Sequence, residues 1–285
     1  MLEPRPGRKL LYRLAGLSLV LATLLGVVAF PLYILGTLSE PSDEVLPESV
    51  SQSVKTLTYI ASARFSYLYL TAIVRIGIPL LFVLPVLAIF LVLRETARKS
   101  VLLATVSAGL SIIVSIALSQ VGYSLVGLSD LYTTAASEVE KAAIVASAGG
   151  LIRTLGIGEG ISGMLFFSWV IITCLVFQSR NLFRRWVALL GVFAALGSPL
   201  YGSVTILATI VGMSWSAFFY SHLIFSPLFL IFLAWSSVMG YNLYRMGANE
   251  AINSGSSRTN VPSAGRVGTL EVQYCRGMMP ELTHT

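Results

Sequence analysis

Six apolar runs, each long enough to cross a bilayer, constrain this chain more than any other feature of its sequence. A crossing helix needs about 20 consecutive apolar residues. Runs of that length lie at about 14–38, 67–93, 101–126, 154–178, 187–212 and 218–244. The first follows Arg5, Arg8, Lys9 and Arg13 as a signal peptide would. It is too long for a cleavable signal, whose apolar region is about 7–15 residues, so it reads as an uncleaved helix. Only 11% of the 285 residues are charged and 55% are hydrophobic, whereas an ordinary soluble domain is about a quarter charged. The expected fold class is all-α: a polytopic bundle of six transmembrane helices spanning 1–246, followed by a disordered tail, 247–285, rich in Asn, Ser, Gly, Arg and Thr.

Basic residues set the expected orientation, because cytoplasmic loops carry an excess of Lys and Arg. With both termini inside, the inner segments hold Arg5, Arg8, Lys9, Arg13, Arg94, Arg98, Lys99, Arg180, Arg184, Arg185, Arg245, Arg258, Arg266 and Arg276, or 14 of the 19 Lys and Arg. The outer side keeps Lys55, Arg64, Lys141 and Arg153, and gathers the acids Glu40, Asp43, Glu44, Glu48, Asp130, Glu138 and Glu140. The net charge of +6 therefore reads as topology, with no nucleic-acid partner called for. Two polar stretches are expected outside. One is 39–66, where Ser49 and Gln52 have capping-box spacing for a short helix. The other is a loop over 127–151.

Arg75 lies inside a span and topology does not explain it. Counted from residue 67, it sits about 12 Å below the outer boundary. A charge at that depth costs several kcal/mol unless paired or hydrated. Glu159, about 7–8 Å into the fourth span, is the expected partner, with Arg153 as a rival cation. His222, near the outer end of the sixth span, is a third candidate ligand-binding residue, since its charge changes near neutral pH. The alternatives are a structural ion bridge at Arg75 and Glu159 or an arginine snorkelling toward the outer headgroups, and a hydrogen-bonded interfacial histidine at His222. Gly158, Gly160 and Gly163 spell G-x-G-x-x-G, but a dinucleotide site needs a strand before the motif and a soluble βαβ unit around it. Gly156, Gly160 and Gly163 read instead as helix-packing residues that let neighbouring helices approach closely. Prolines 79, 85 and 199 fall within spans, and Gly197 to Gly202 is the expected helix break. Cys174 and Cys275 supply neither a disulfide framework nor a metal set. No cofactor motif, Walker pattern or hydrolase signature occurs, and no lysine lies mid-helix for a Schiff base.

The run Val74-Arg75-Ile76-Gly77 through Leu91-Val92-Leu93-Arg94, then Leu165-Phe166-Phe167, Ser179-Arg180 and Trp186-Val187-Ala188-Leu189-Leu190-Gly191, resembles a family of uncharacterised prokaryotic multi-pass membrane proteins, a domain of unknown function. The resemblance covers roughly Tyr12 to Tyr244. It departs at Asn181-Leu182-Phe183-Arg184-Arg185, where relatives often place a proline before the basic residue. It implies six helices, a matching intramembrane arginine and a prokaryotic plasma membrane, and it supplies no activity. The expected partners are the lipid bilayer and a small-molecule or lipid ligand at an outer-leaflet polar site. A small transporter or channel is the alternative, an intramembrane enzyme the third reading.

Overall fold

The computed structural model describes residues 6–38, 48–95, 97–180, 185–211 and 215–256. Every element among them is helical. They are α1 (Pro6–Leu38), α2 (Glu48–Ser62), α3 (Arg64–Ala72), a π-helical turn (Ile73–Gly77), α4 (Ile78–Leu93), α5 (Arg98–Thr134), α6 (Glu138–Arg180), α7 (Arg185–Val211) and α8 (Trp215–Ser256). α3, the π turn and α4 form one continuous rod.

Five helical stretches are long and apolar enough to cross a membrane: Arg8–Ala29, Arg64–Leu93, Arg98–Thr134, Glu138–Ser179 and Pro227–Ala248. In α7 the stretch Arg185–Leu196 is apolar but shorter, and the side chains of 197–202 lie outside the described residues. Large apolar side chains point outward along these rods, among them Leu14, Leu17, Leu21 and Leu24 of α1 and Leu103, Val106, Leu110 and Ile113 of α5. In water such a surface would be an aggregation hazard, whereas hydrocarbon leaves it without cost.

The rods close into a ring in chain order: α1 against the α3–α4 rod, then α5, α6, α7, α8 and back to α1. Successive rods run antiparallel. The seam between α1 and α8 is tight enough that a β-carbon on Gly16 would stand 2.5 Å from the Gly240 carbonyl oxygen. Arg13 Nε donates to the Gly247 carbonyl at 3.2 Å, so the start of α1 and the end of α8 share one end of the bundle. Arg8 and Glu95 pair at that same end, 4.0 Å apart.

Two hydrophobic cores stack along the bundle. The larger joins Leu19 of α1, Phe82 and Ile89 of α4, Trp169 and Phe177 of α6, Ala195 of α7 and Trp235 of α8. Trp169 and Trp235 meet edge to face, with centroids 6.5 Å apart. The smaller joins Leu57 and Ile60 of α2 to Leu118, Leu125 and Val126 of α5 and Ile144, Val145, Ala148 and Leu155 of α6.

This second core corrects the expected loop over 127–151, because those residues continue α5 and α6 and meet at the short turn 135–137. Ser137 Oγ accepts from the Glu140 N–H at 3.2 Å, and Glu140 Oε2 accepts from the Ala136 N–H at 3.1 Å, which caps the start of α6. The third and fourth rods are accordingly longer than 101–126 and 154–178. α2 forms where Ser49 and Gln52 suggest a short helix, although it starts at Glu48. The expected break at Gly197 to Gly202 is absent, since α7 is helical throughout. α8 runs past Gly247 to Ser256, and the rest of the tail, 257–285, lies outside the described residues.

Candidate functional site

The rod that carries Arg75 is disturbed by Pro79. Proline has no N–H, and its ring crowds the carbonyl four residues earlier, which here belongs to Arg75 itself. The chain accommodates this with one wide turn just ahead of the proline: the Ile78 N–H donates to the Ile73 carbonyl, five residues back. Turns of this kind are frequent at functional sites. Arg75 sits in its middle.

From there the guanidinium reaches across α5 to α6. Gly122 of α5 makes room for it: a β-carbon there would lie 2.9 Å from Arg75 Nη1 and 2.9 Å from Thr71 Cγ2. α6 comes close because Gly158 has no side chain, so that Leu118 of α5 fills the space where a β-carbon would stand. The next residue is Glu159. Arg75 Nη2 donates to Glu159 Oε1 at 2.5 Å and Nε donates to the same oxygen at 3.2 Å. Nη1 donates to Thr71 Oγ1 at a long 3.4 Å. The Tyr67 phenol lies within interaction range of Arg75, Glu159 and Thr71.

The expected pair is therefore present, held by two bonds to a single carboxylate oxygen. Glu159 Oε2 accepts no hydrogen bond from another described residue. The Arg75 side chain is 18% exposed and that of Glu159 39%. Arg153 is exposed on α6 and makes no ion pair with Glu159 among the described residues. His222 is in α8, but its side chain lies outside the described residues. Gly160 is buried on α6, while Gly156 and Gly163 are half-buried.

Below the pair, α5 and α6 are joined by hydroxyls. Ser111 Oγ donates to the Ser162 carbonyl at 2.8 Å and Ser162 Oγ donates to the Ser111 carbonyl at 3.1 Å. Ser115 Oγ lies 2.8 Å from Ser162 Oγ, and Ser107 Oγ donates to the Leu165 carbonyl at 2.7 Å. Tyr67, Thr71, Arg75, Ser115, Gly122, Glu159 and Ser162 thus form a polar layer between the two apolar cores.

Helix length gives the layer a depth. At 1.5 Å per residue, about 28 Å of helix separates Arg75 from Arg94, and about 31 Å separates Glu159 from Arg180. A bilayer's hydrocarbon is about 30 Å thick. With the Arg94 and Arg180 ends at one membrane face, the pair reaches the level of the opposite face, shallower than a count from residue 67 implies. α5 and α6 continue past it together with α2.

Among the described residues no three His, Cys, Asp or Glu side chains group as metal ligands. Comparison with family models, with curated proteins and with solved structures finds no match for this chain, so its site is read from its own residues.

Proposed function

We propose that this chain is a six-span integral membrane protein of a prokaryotic plasma membrane, with both termini cytoplasmic, that binds a small polar or lipid-like ligand at Arg75 and Glu159 on the outer side. α7 is added to the five membrane-length helices to make six spans, since it is apolar where described and closes the ring between α6 and α8. The basic residues of the Arg8, Arg94 and Arg245 end support the orientation.

The observation that carries the binding reading is the half-open carboxylate. A purely structural bridge would be expected to engage both Glu159 oxygens and to be closed over by its neighbours, because the two-oxygen, water-excluded pair is the stronger geometry. Here one oxygen takes two N–H groups and the other is left over, on a side chain that keeps 39% exposure. The test is a ligand screen by thermal shift on the purified chain beside Arg75→Ala and Glu159→Ala. Shifts seen in the parent and lost in both variants support the site; unchanged stability and unchanged shifts refute it.

A transporter is the second reading, favoured by the π turn, which gives the Arg75 rod a natural hinge above Pro79. Flux in proteoliposomes that the Glu159 variant lacks would support it, and silence across a broad panel would count against it.

A further inference from the structure

We infer that the ligand of the Arg75–Glu159 site is zwitterionic, with a primary ammonium held by Glu159 and an anionic oxygen group held by Arg75. The inference rests on the binding reading above and goes beyond it by naming the chemistry of the ligand.

Charge balance is the first argument. The pair is neutral as a unit and sits between two apolar cores. A ligand of net charge would leave one of its charges without an opposite partner in the pair, whereas each charge of a zwitterion meets its complement. The second argument is the donor and acceptor inventory. Glu159 Oε2 is an acceptor without a donor among the described residues, and an ammonium offers three N–H groups. Arg75 has five N–H groups, of which two are committed to Glu159 Oε1, one makes only the long contact with Thr71 and the Tyr67 hydroxyl engages the guanidinium as well. The remainder, with the Tyr67 hydroxyl beside them, suit a phosphate or carboxylate oxygen. A trimethylammonium has no N–H to give Oε2, so an ethanolamine head should be preferred to a choline head.

Depth is the third argument. About 28 Å from the Arg94 end, the pair lies at the level of lipid headgroups. A phosphatidylethanolamine headgroup and a free ethanolamine phosphodiester or amino acid share the required chemistry, and the experiment separates them.

The purified full chain is melted in detergent with phosphatidylethanolamine, phosphatidylcholine, soluble glycerophosphoethanolamine, inorganic phosphate or ethylamine. The expected result is a rise of about 5–10 °C at a hundredfold excess over Kd with the ethanolamine lipid, and none with phosphatidylcholine, phosphate or ethylamine. A rise with glycerophosphoethanolamine alone would identify a free zwitterion as the ligand and also supports the inference. The swapped double variant, Arg75→Glu with Glu159→Arg, keeps an ion pair and hence the fold, but reverses the polarity against a lipid whose phosphate lies on the glycerol side. It is expected to melt near the parent and lose the lipid response. An equal rise with inorganic phosphate alone would overturn the zwitterion and leave the binding site standing. No rise with any probe, or an undiminished rise in Arg75→Gln and Glu159→Gln, would overturn both.

Discussion

Replacing Gly122 with alanine puts one methyl group into the space that the Arg75 guanidinium occupies. α5 contains its own controls. An alanine β-carbon at Gly122 would lie 2.9 Å from Arg75 Nη1 and 2.9 Å from Thr71 Cγ2, whereas at Gly109 or Gly127 it would meet nothing within 4 Å. All three substitutions gain the same helix propensity, about 0.8–1.0 kcal/mol for Ala over Gly in a helix interior. Only Gly122→Ala adds the cost of overpacking, about 1–3 kcal/mol. Gly109→Ala and Gly127→Ala should therefore be neutral to stabilising by up to about 1 kcal/mol, with Gly122→Ala about 1–3 kcal/mol below them. Reversible unfolding in mixed detergent micelles measures the gap. Arg75 is long and can swing away, and Gly122→Ala should then also abolish ligand-induced shifts that both controls retain. If Gly122→Ala matched Gly127→Ala in stability and in ligand response, the placement of Arg75 over Gly122 would be wrong.

Ser162→Ala removes the hydroxyl that links α6 to Ser111 and Ser115; at about 0.6 kcal/mol for an average interhelical bond in a membrane protein, it should cost about 1–2 kcal/mol in the same unfolding assay. Ser124→Ala, exposed and bonded only to its own helix, should change stability by less than about 0.5 kcal/mol. At Gly191 a β-carbon would overlap Cys174 Sγ and Trp235 Nε1 in the larger core, so Gly191→Ala should destabilise by about 1–3 kcal/mol, with partial recovery when Cys174→Ala is added. Pro79→Ala restores an N–H for the Arg75 carbonyl and should close the π turn, turning Arg75 away from Glu159. A double-mutant cycle between those two residues should then show their coupling fall toward zero without loss of overall stability.

Much of the architecture is legible in the sequence because lipid imposes a simple rule. The apolar runs mark the long rods, and the deep position of Trp169 and Trp235 follows from their place mid-run. The stretch 127–151 misleads because Gly127, Gly149, Gly150 and scattered charges look like a loop. Yet Ile144, Val145, Ala148 and Leu155 recur at helical spacing, and Leu57 and Ile60 of α2 are three apart on one face, a pattern that points to a second core. Arg75 and Glu159 stand out because they are charges out of place. Their supports do not: Thr71, Tyr67 and Gly122 are ordinary residues whose roles depend on which rods are neighbours. Ser107, Ser111, Ser115 and Ser119 repeat every four residues, and that small-residue ridge was the available signal for the α5–α6 seam. The helix disturbance falls at Pro79 and not at Gly197 to Gly202. A proline acts through the carbonyl four residues earlier, and its neighbours decide whether the helix widens, kinks or continues.

The central claim is that the Arg75–Glu159 layer opens to the outer face of the membrane. Glu159→Cys, in a background of Cys174→Ala and Cys275→Ser, tests it in intact cells with a membrane-impermeant maleimide, alongside Thr154→Cys as an exposed position on α6 farther out. Labelling of both cysteines from outside, with Glu159→Cys slower than Thr154→Cys and protected by bound ligand, is the predicted result. A Glu159→Cys thiol that stays unlabelled from outside while Thr154→Cys reacts, or one that reacts only in inverted membranes, would contradict the account.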